Sequence, residues 1–412
     1  MSIEQRSYLF ASVDAPPRVG GVANLATNIA NTFTDAYASK AVFVGPSGTY
    51  FNQQIYFDLI EDFNSDIRLR DGTRSAAEEA RIEDFFSRII DGYTVNEVML
   101  FHPFYYAIGA IRAARKRNIR SSLYLHGTEV TSQVPAVFTK KELDSSDTDF
   151  APNSLASKLL SATRSADILF TNSHFSKSLV NRLAPSKPIY VSGCGIEETV
   201  LKKETEQNPN YAPIRKTFFR ERTGLAERLT FVSVGRHVPH KRTEAGIHLM
   251  SEIPDAQLVV IGDGPKTNEL KQLAAELAVA DRIIFVGAIS EEEKWNYLRA
   301  ADVGILSSTF DQTTGGYEGF GIVMLEYAAA GCVVLTPGTE GMHDFAIRYK
   351  GALIGLSSLE NDALKQDASM LSDFFSDLDR VNYQVNHARE VIAQRYTWKK
   401  VTEVMHEIMT TK

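Results

Sequence analysis

The chain has 412 residues, a length that predicts two or three domains. Its composition, 44% apolar and 23% charged, is that of an ordinary globular protein and excludes a disordered, collagen-like or fibrous chain. The formal net charge of −7 excludes a general attraction to nucleic acid, although it is compatible with a local basic cleft.

The two cysteines and the N-terminal sequence bear on cellular location. Cys194 and Cys332 are too few for a disulfide framework or a four-cysteine zinc site, which favours a reducing compartment. The N-terminus lacks the basic and apolar regions of a signal peptide, and no apolar run approaches the ~18 residues of a membrane span. We therefore expect a soluble, cytoplasmic protein.

Short apolar runs alternate with helical patterns along the chain, which is typical of βαβ units on parallel sheets. In the first half, the predicted buried strands lie at 8–13, 41–45, 97–102, 122–127, 167–173 and 189–193. In the second half, they lie at 230–235, 258–264, 282–287, 302–308, 332–338 and 352–356. The predicted fold class is therefore α/β, with two Rossmann-like halves.

The domain boundaries follow from a change in composition. The segment 201–222 is polar, contains two prolines and has no apolar period, so we predict a linker there. The N-terminal domain then covers 1–200 and the C-terminal domain 223–392. The last part, 393–412, is predicted to be one amphipathic helix that completes the N-terminal domain. Ser290 with Glu293 has the spacing of a capping box, and Gly331 is placed to end a helix.

Ligands of open parallel sheets bind outside the carboxyl ends of the strands, so we expect the binding residues in the loops that follow the strands. After the first strand, Gly20 and Gly21 precede an apolar-periodic helix, where backbone N–H groups can approach a phosphate or sugar. A flexible loop that leads into a helix is the open alternative. His126 ends another predicted strand, and either a structural role or binding of a sugar hydroxyl suits it.

The loop after 230–235 carries two cations, Arg236 and Lys241. Arginine offers a planar fork and lysine a point charge, so together they can neutralise a diphosphate without a metal. A solvated basic loop is the alternative for such a pair.

Glu318 and Glu326 flank the start of a predicted helix in the segment YEGFGIVMLEYAAAG. The residues 320–322 present unpaired N–H groups at this helix start, which suits a diphosphate. A carboxylate one turn into the helix, at Glu326, can accept from both hydroxyls of a ribose, and Glu318 can hold hydroxyls of an attached sugar. A solvated helix face is the alternative for the two glutamates.

These segments together resemble the retaining glycosyltransferases of family 4, whose GT-B architecture has two Rossmann-like domains with parallel sheets facing across a cleft. The motifs occur in the order usual for the family and cover most of the chain: GGVA (20–23), HGTE (126–129), TNSHFSKSLV (171–180), GCGIE (193–197), GRHVPHK (235–241), GDGP (262–265) and EGFGIVMLE (318–326).

The resemblance implies roles for individual residues. The catalytic residues that the resemblance implies are His126, Arg236, Lys241 and Glu318. The donor-binding residues that it implies are Gly20, Gly21, Arg236, Lys241, Val286, Glu318, Gly319, Phe320, Gly321, Ile322 and Glu326. By the same resemblance, the backbone from Val286 to Ile289 holds the nucleobase. We predict no metal site, because Arg236 and Lys241 already supply positive charge for the diphosphate.

The activity that the resemblance implies is metal-independent transfer of a hexose-type sugar from a nucleotide-diphosphate sugar, UDP- or GDP-linked, to an acceptor hydroxyl. No cofactor and no nucleic acid is expected, and the acceptor is a saccharide, a lipid-linked molecule or a small molecule. The alternatives are a catalytically inactive nucleotide-sugar-binding or regulatory protein of the same fold, and a sugar phosphorylase. A dinucleotide-dependent oxidoreductase is disfavoured because no GxGxxG follows the first strand.

Three further features affect this interpretation. The loop 309–317 is longer than usual in the family by about six residues, so the family does not predict donor or acceptor preference here. Asp147 and Asp149 form a DxD, which we interpret as part of a solvated loop. The basic stretch from Arg112 to Arg120 suits either peripheral contact with anionic lipid or a solvated helix end, and we favour the second.

Overall fold

The computed structural model describes residues 6–16, 20–46, 48–49, 51, 54–61, 76–140, 142–144, 146–152, 154–207, 213–349, 356 and 361–411. The chain forms two compact units. The first consists of Met1–Cys194 together with Trp398–Lys412, and the second is Gly195–Thr397.

The first unit is built on a parallel sheet. Its strands are β1 (Arg6–Ala11), β2 (Ala38–Gly45), β3 (Asp58–Glu61), β4 (Glu97–Leu100), β5 (Arg120–Leu125), β6 (Ile168–Thr171) and β7 (Ile189–Val191). They lie in the order β3-β2-β1-β4-β5-β6-β7, and neighbouring strands are parallel. The central strands are buried along almost their whole length, which explains why they appear in the sequence as continuous apolar runs.

Helices connect these strands. They are α1 (Gly21–Tyr37), α2 (Ala76–Tyr93), α3 (Ala107–Arg115), α4 (Thr128–Gln133), α5 (Ala136–Thr139), α6 (Leu155–Ser165) and α7 (His174–Leu183), with a 3₁₀ turn at Ser146–Thr148. Serines begin α6 and α7: the Ser154 and Ser173 hydroxyls accept from backbone N–H groups of the first turn. Such caps satisfy N–H groups that have no partner within the helix.

The second unit is also built on a parallel sheet. Its strands are β8 (Leu229–Val234), β9 (Ala256–Ile261), β10 (Ile283–Gly287), β11 (Val303–Ile305) and β12 (Val333–Leu335), in the order β10-β9-β8-β11-β12. Buried side chains of the strands, such as Phe231, Leu258 and Ile305, pack against apolar residues of the helices around them. The predicted α/β class with two Rossmann-like halves is confirmed.

The helices of the second unit are α8 (Glu198–Gln207), α9 (Pro213–Thr223), α10 (Glu244–Glu252), α11 (Thr267–Glu276), α12 (Glu291–Ala300), α13 (Ile322–Ala330), α14 (His343–Tyr349), α15 (Asn361–Ser376) and α16 (Leu378–Arg395). Short 3₁₀ turns lie at Pro239–Lys241, Ala280–Arg282 and Glu340–Met342. The last helix, α17 (Trp398–Thr410), belongs to the first unit and packs on α1. Within the described ranges, no helix has the length and apolarity needed to cross a membrane.

Two helix ends lie where the sequence predicts them, and one strand is present that the sequence does not predict. The Ser290–Glu293 capping box begins α12, and Gly331 ends α13 in the left-handed conformation at φ 89°, so both predictions are confirmed. Strand β3 was not predicted, because its sequence DLIE has acidic residues at both ends and little apolar character. The strand predicted at 352–356 lies outside the described residues except for Leu356.

The linker predicted at 201–222 is wrong for the described residues. Helix α8 and helix α9 occupy most of it, and both belong to the second unit. One polar side chain of each helix is buried in an ion pair: Glu204 of α8 pairs with Arg299 of α12, and Arg220 of α9 pairs with Asp302. A polar composition therefore marks buried charge pairs here and not a solvated connection.

The single helix predicted at 393–412 is also wrong. Helix α16 ends at Arg395 and α17 begins at Trp398, with Tyr396 and Thr397 between them. The buried Tyr396 ring packs against Phe345, and its hydroxyl donates to the Asp344 carbonyl at 3.0 Å. These tertiary contacts hold Tyr396 in a non-helical conformation and interrupt the helix.

Candidate active site

The strand order of the second unit reverses between β8 and β11. From β8 the chain proceeds outward to β9 and β10, and it then continues on the other side with β11 and β12. Ligands of open parallel sheets bind at such a reversal, outside the carboxyl ends of the strands. The loop after β8 carries Arg236 and Lys241, and the loop after β11 carries Glu318. Topology therefore brings these three predicted residues to the same edge of the sheet.

Lys241 and Glu318 form an ion pair at this edge. The Lys241 ammonium donates to a Glu318 carboxylate oxygen, and 21% and 15% of the two side chains remain exposed. The Ser307 hydroxyl, at the end of β11, donates at 2.7 Å to the carbonyl of Arg242 and so holds the Lys241 loop to that strand. A cation and a carboxylate are thus placed side by side, where the first can bind phosphate and the second can accept from hydroxyl groups.

Arg236 is exposed at the same edge. Its guanidinium makes no hydrogen bond or ion pair with the residues that the structure describes. Because arginine stays protonated and presents a planar set of donors, this side chain is available to an anionic ligand.

His240 was not singled out from the sequence. Burial, and then the Lys241 cation, lower the pKa of His240, which keeps its imidazole neutral at neutral pH. A Cβ at Gly316 would lie 2.6 Å from its Nδ1 atom, so only a glycine lets the longer loop 309–317 approach so closely. Within that loop, Asp311 and Gly316 form an isolated antiparallel bridge, and the Asp311 carboxylate accepts from the N–H groups of Thr313 and Thr314 at 3.1 and 3.2 Å. The loop is therefore folded against the Lys241 segment.

The start of α13 is fixed by close backbone packing. Gly321 adopts φ 86°, in the left-handed region that favours glycine, directly before the helix begins at Ile322. A Cβ at Gly341 would lie 1.9 Å from the Gly319 carbonyl oxygen, so the segment before the helix lies directly on the backbone at Gly341. Phe320 is buried against the Tyr396 ring. The helix begins four residues after Glu318 in the chain, so its first N–H groups follow Glu318 closely in sequence.

Glu326 lies one turn into α13 and already has a partner. Its two carboxylate oxygens lie 3.0 Å from the Lys294 Nζ atom of α12, which also lies 2.8 Å from Glu291. Burial alone would lower the pKa of Lys294, but the Glu326 and Glu291 carboxylates outweigh it and raise that pKa. Sequence analysis missed Lys294 because the run EEEK reads as a solvated helix start.

Val286 lies where β10 leaves the regular sheet. The pairing of β10 with β9 shifts register between Phe285 and Gly287, which leaves Val286 as an extra residue. The Gly262 N–H donates to the Gly287 carbonyl at 2.8 Å. This places the Val286 backbone at the carboxyl end of β10, at the edge where the other loops leave the sheet.

The remaining predicted residues belong to the first unit. Gly20 and Gly21 are exposed at the start of α1, and a Cβ at either position would meet no atom of the described residues within 4 Å. Packing within the described structure therefore does not explain either glycine.

His126 is buried and held in one orientation. Its Nε2 atom lies 2.8 Å from the Phe101 carbonyl oxygen, which can only accept, so the Nε2–H group donates to that oxygen. The Glu129 carboxylate accepts from the backbone N–H groups of His126 and Gly127, at 2.6 and 2.9 Å. The HGTE sequence therefore has a structural role in this turn.

His102, at the end of β4, is a second histidine that sequence analysis missed. Burial lowers the pKa of His102 to about 4, with Glu129 and Asp14 opposing this shift and His126 adding to it.

We expect His102 to make the first unit less stable in acid. Between its ordinary pKa of 6.5 and its lowered value, the unfolded chain binds a proton that the folded chain does not, so stability falls as the pH falls through this window. Urea unfolding from about pH 6.5 to about pH 5 should show a loss of about 2 kcal/mol that is absent in His102→Gln. Equal slopes in both proteins would contradict the lowered pKa.

Other predicted groups are engaged elsewhere. Asp147 pairs with Lys140 at 2.7 Å, so this carboxylate of the DxD stabilises the local segment that contains both residues. In the basic stretch, Arg117 binds both oxygens of Asp91 at 2.6 Å and Lys116 pairs with Glu83, whereas Arg112 is exposed. Within the part of the chain that the structure describes, no group of three or more His, Cys, Asp or Glu residues could hold a metal ion.

Comparison with known proteins identifies a family for the second unit. Residues 215–372 match the model of the glycosyl transferases group 1. The GDP-mannose-dependent alpha-(1-6)-phosphatidylinositol monomannoside mannosyltransferase of Mycobacterium tuberculosis (strain CDC 1551 / Oshkosh) is 27% identical over 190 residues, which are 45% of this chain and 48% of that protein. The alpha-monoglucosyldiacylglycerol synthase of Streptococcus pneumoniae is 29% identical over 33% of this chain and 34% of that protein. The chain thus spans about half, or less, of the length of these curated relatives.

Solved structures extend the likeness of fold to the whole chain. The Anabaena Alr3699/HepE structure in complex with UDP-glucose has a TM-score of 0.70 at 15% identity, over 98% of this chain and 100% of that chain. A glycosyltransferase of Rickettsia africae has a TM-score of 0.72 at 15% identity, over 99% of this chain and 100% of that chain. At such low identity these structures show the fold and not the substrate.

Proposed function

We propose that the chain is a family 4 glycosyltransferase of the hexosyltransferase type, because residues 215–372 match the glycosyl transferases group 1 and the fold is that of GT-B enzymes. Its proposed reaction moves a hexose-type sugar from a nucleotide-diphosphate sugar to an acceptor hydroxyl, with retention of configuration and without a metal or cofactor. The observation that carries this proposal is the Lys241–Glu318 ion pair at the strand reversal, with exposed Arg236 in the same loop as Lys241 and the start of α13 shortly after Glu318 in the chain.

The proposed mechanism stabilises the charge of the leaving group. As the bond between sugar and phosphate breaks, negative charge grows on the diphosphate while the sugar carbon becomes oxocarbenium-like. Arg236, Lys241 and the N–H groups at the start of α13 offer positive charge and donors where this charge develops. Glu318 accepts from sugar hydroxyls, and Glu326 accepts from the ribose. We favour attack on the same face of the sugar, with the leaving phosphate taking the acceptor proton.

Further assignments in the first unit and for the donor are part of the same proposal. We propose that Gly20, Gly21 and His126 contribute to substrate binding, as the family resemblance implies, and that the backbone at Val286 holds the nucleobase. UDP and GDP are both candidate carriers, because one structural neighbour is a complex with UDP-glucose and one curated relative is named as GDP-mannose-dependent.

The acceptor and the location are also proposals. The two curated relatives named above have lipid-linked products or acceptors in their names, so we place lipid-linked acceptors beside saccharides and small molecules. Neither Cys194 nor Cys332 is in a disulfide and both are buried, which is compatible with the proposed cytoplasmic location.

A screen of nucleotide sugars tests the proposed function. A donor that binds the native state must raise the apparent melting temperature of the protein. The shift of this temperature should therefore show whether UDP-linked or GDP-linked hexoses bind. Turnover with an acceptor panel should then release the nucleotide diphosphate, and the anomeric configuration of the product reports retention. A thermal shift without turnover on any acceptor would favour the inactive binding protein. Product formed only from inorganic phosphate or a sugar phosphate would favour the phosphorylase.

A further inference from the structure

The ammonium group of Lys294 is surrounded by carboxylate oxygens of Glu326 and Glu291. The Lys294 ammonium has three N–H donors, and three carboxylate oxygens lie within reach: both oxygens of Glu326 at 3.0 Å and one of Glu291 at 2.8 Å. Only 11% of the Lys294 side chain and 13% of the Glu326 side chain are exposed. Lys294 therefore has no donor left for a ligand, and its effect on a ligand must act through Glu326.

Glu326, in contrast, keeps capacity to bind. A carboxylate has about four lone-pair sites on its two oxygens, and one ammonium that contacts both oxygens occupies about two of them. One site on each oxygen stays open, and the two vicinal hydroxyls of a ribose need one acceptor each. The symmetric contact with Lys294 fixes the direction in which both open sites point.

The charge of Lys294 matters for the same carboxylate. Burial raises the pKa of Glu326, and Lys294 acts against this shift. An uncompensated carboxylate at this depth would also repel the diphosphate of a donor. Removing the lysine would therefore leave burial and repulsion unopposed.

We propose that Lys294 is a positioning residue for the donor ribose, which holds Glu326 charged and oriented so that its two oxygens accept from the 2′- and 3′-hydroxyls. This inference rests on the proposed function, because it assumes that a nucleotide with a ribose binds at Glu326. The inference assigns a role to Lys294 on α12, a residue outside the EGFG segment.

Calorimetric titration with UDP and GDP, and with their 2′-deoxy counterparts, tests this role. For whichever nucleotide the wild-type protein binds, the 2′-deoxy form should bind about tenfold more weakly, since a hydroxyl donating to a charged group is lost. In Lys294→Met the ribose form should lose about tenfold in affinity, and the difference between the two forms should nearly vanish. Lys294→Arg, which keeps the charge, should retain most of this discrimination.

A matched control separates positioning from general destabilisation. Arg299→Met breaks another buried pair of α12, with Glu204, and should lower thermal stability without changing the ratio between ribose and deoxyribose affinities. A double-mutant cycle with Glu326→Gln should show that Lys294→Met has little further effect once the carboxylate is gone.

The outcomes distinguish the two proposals. If the wild-type protein binds neither UDP nor GDP, the proposed function fails and the inference fails with it. If the wild type binds and a folded Lys294→Met keeps full discrimination, only the inference is overturned. Should Lys294→Met not fold, Lys294→Gln takes its place, because its amide still donates to Glu326 without the charge, and the same loss of discrimination is expected. Failure of both variants to fold would make Lys294 a structural residue and overturn the inference.

Discussion

Replacing Lys241 by alanine is expected to lower kcat for sugar transfer about a hundredfold. Lys241 pairs with Glu318 and shares its loop with exposed Arg236, where the leaving diphosphate is proposed to gain charge. Loss of one such preorganised group costs on the order of 3 kcal/mol of transition-state stabilisation. Because the Lys241–Glu318 pair is only partly buried, the same variant should keep most of its stability. Steady-state kinetics with the donor identified by the screen provide the measurement.

The control for Lys241→Ala is Lys202→Ala in the same unit. Lys202 pairs with Glu206 on α8, and more than half of each side chain is exposed, at 72% and 65%. Its removal should leave kcat nearly unchanged. A folded Lys241→Ala with wild-type turnover would remove this cation from the mechanism, whatever the donor.

Replacing Arg220 by alanine is expected to lower the free energy of unfolding of the second unit by about 3–5 kcal/mol. The Arg220 guanidinium binds the Asp302 carboxylate, and the exposed fractions of the two side chains are only 9% and 3%. Asp302 also accepts from the Thr230 N–H at 2.8 Å, so it would remain buried with its charge after the arginine is removed. Urea unfolding, followed by hydrogen exchange of peptides from the second unit, measures the loss.

Two variants support the interpretation of Arg220→Ala. Adding Asp302→Asn should recover part of the lost stability, because the unpaired buried charge is then removed. Arg88→Ala breaks a pair with Asp84 whose side chains are 70% and 64% exposed, and it should change stability little. An Arg220→Ala protein as stable as the wild type would show that this buried pair does not anchor α9.

Much of the fold and of the candidate site could be predicted from the sequence, because the decisive signals are local. Buried parallel strands are continuous apolar runs, and the predicted strands within the described residues are present. Loops that leave such strands share one edge, so Arg236, Lys241 and Glu318 could be assigned to a site before any contact was known. The capping box at Ser290 and the glycine at 331 depend only on neighbouring residues, and both are confirmed.

The errors concern polar residues whose partners are distant in the chain. The segment 201–222 has the composition of a solvated linker, yet Glu204 and Arg220 are buried against Arg299 and Asp302. Lys294 reads as part of a charged helix start, and only the packing of α12 on α13 brings it to Glu326. The local sequence around a charged residue does not show whether its partner lies 30 or more positions away in the chain.

By itself, the amino-acid sequence determined the α/β class, the alternation of strands and helices, and the loops that carry the candidate site. The tertiary structure decided which charges are paired: Lys241 with Glu318, and Lys294 with Glu326. It also decided where the last helix breaks, at Tyr396, whose ring is buried against Phe345. The physical reason is the range of the forces involved, since apolar periodicity and capping act over a few residues, whereas burial and ion pairing depend on segments that only folding brings together.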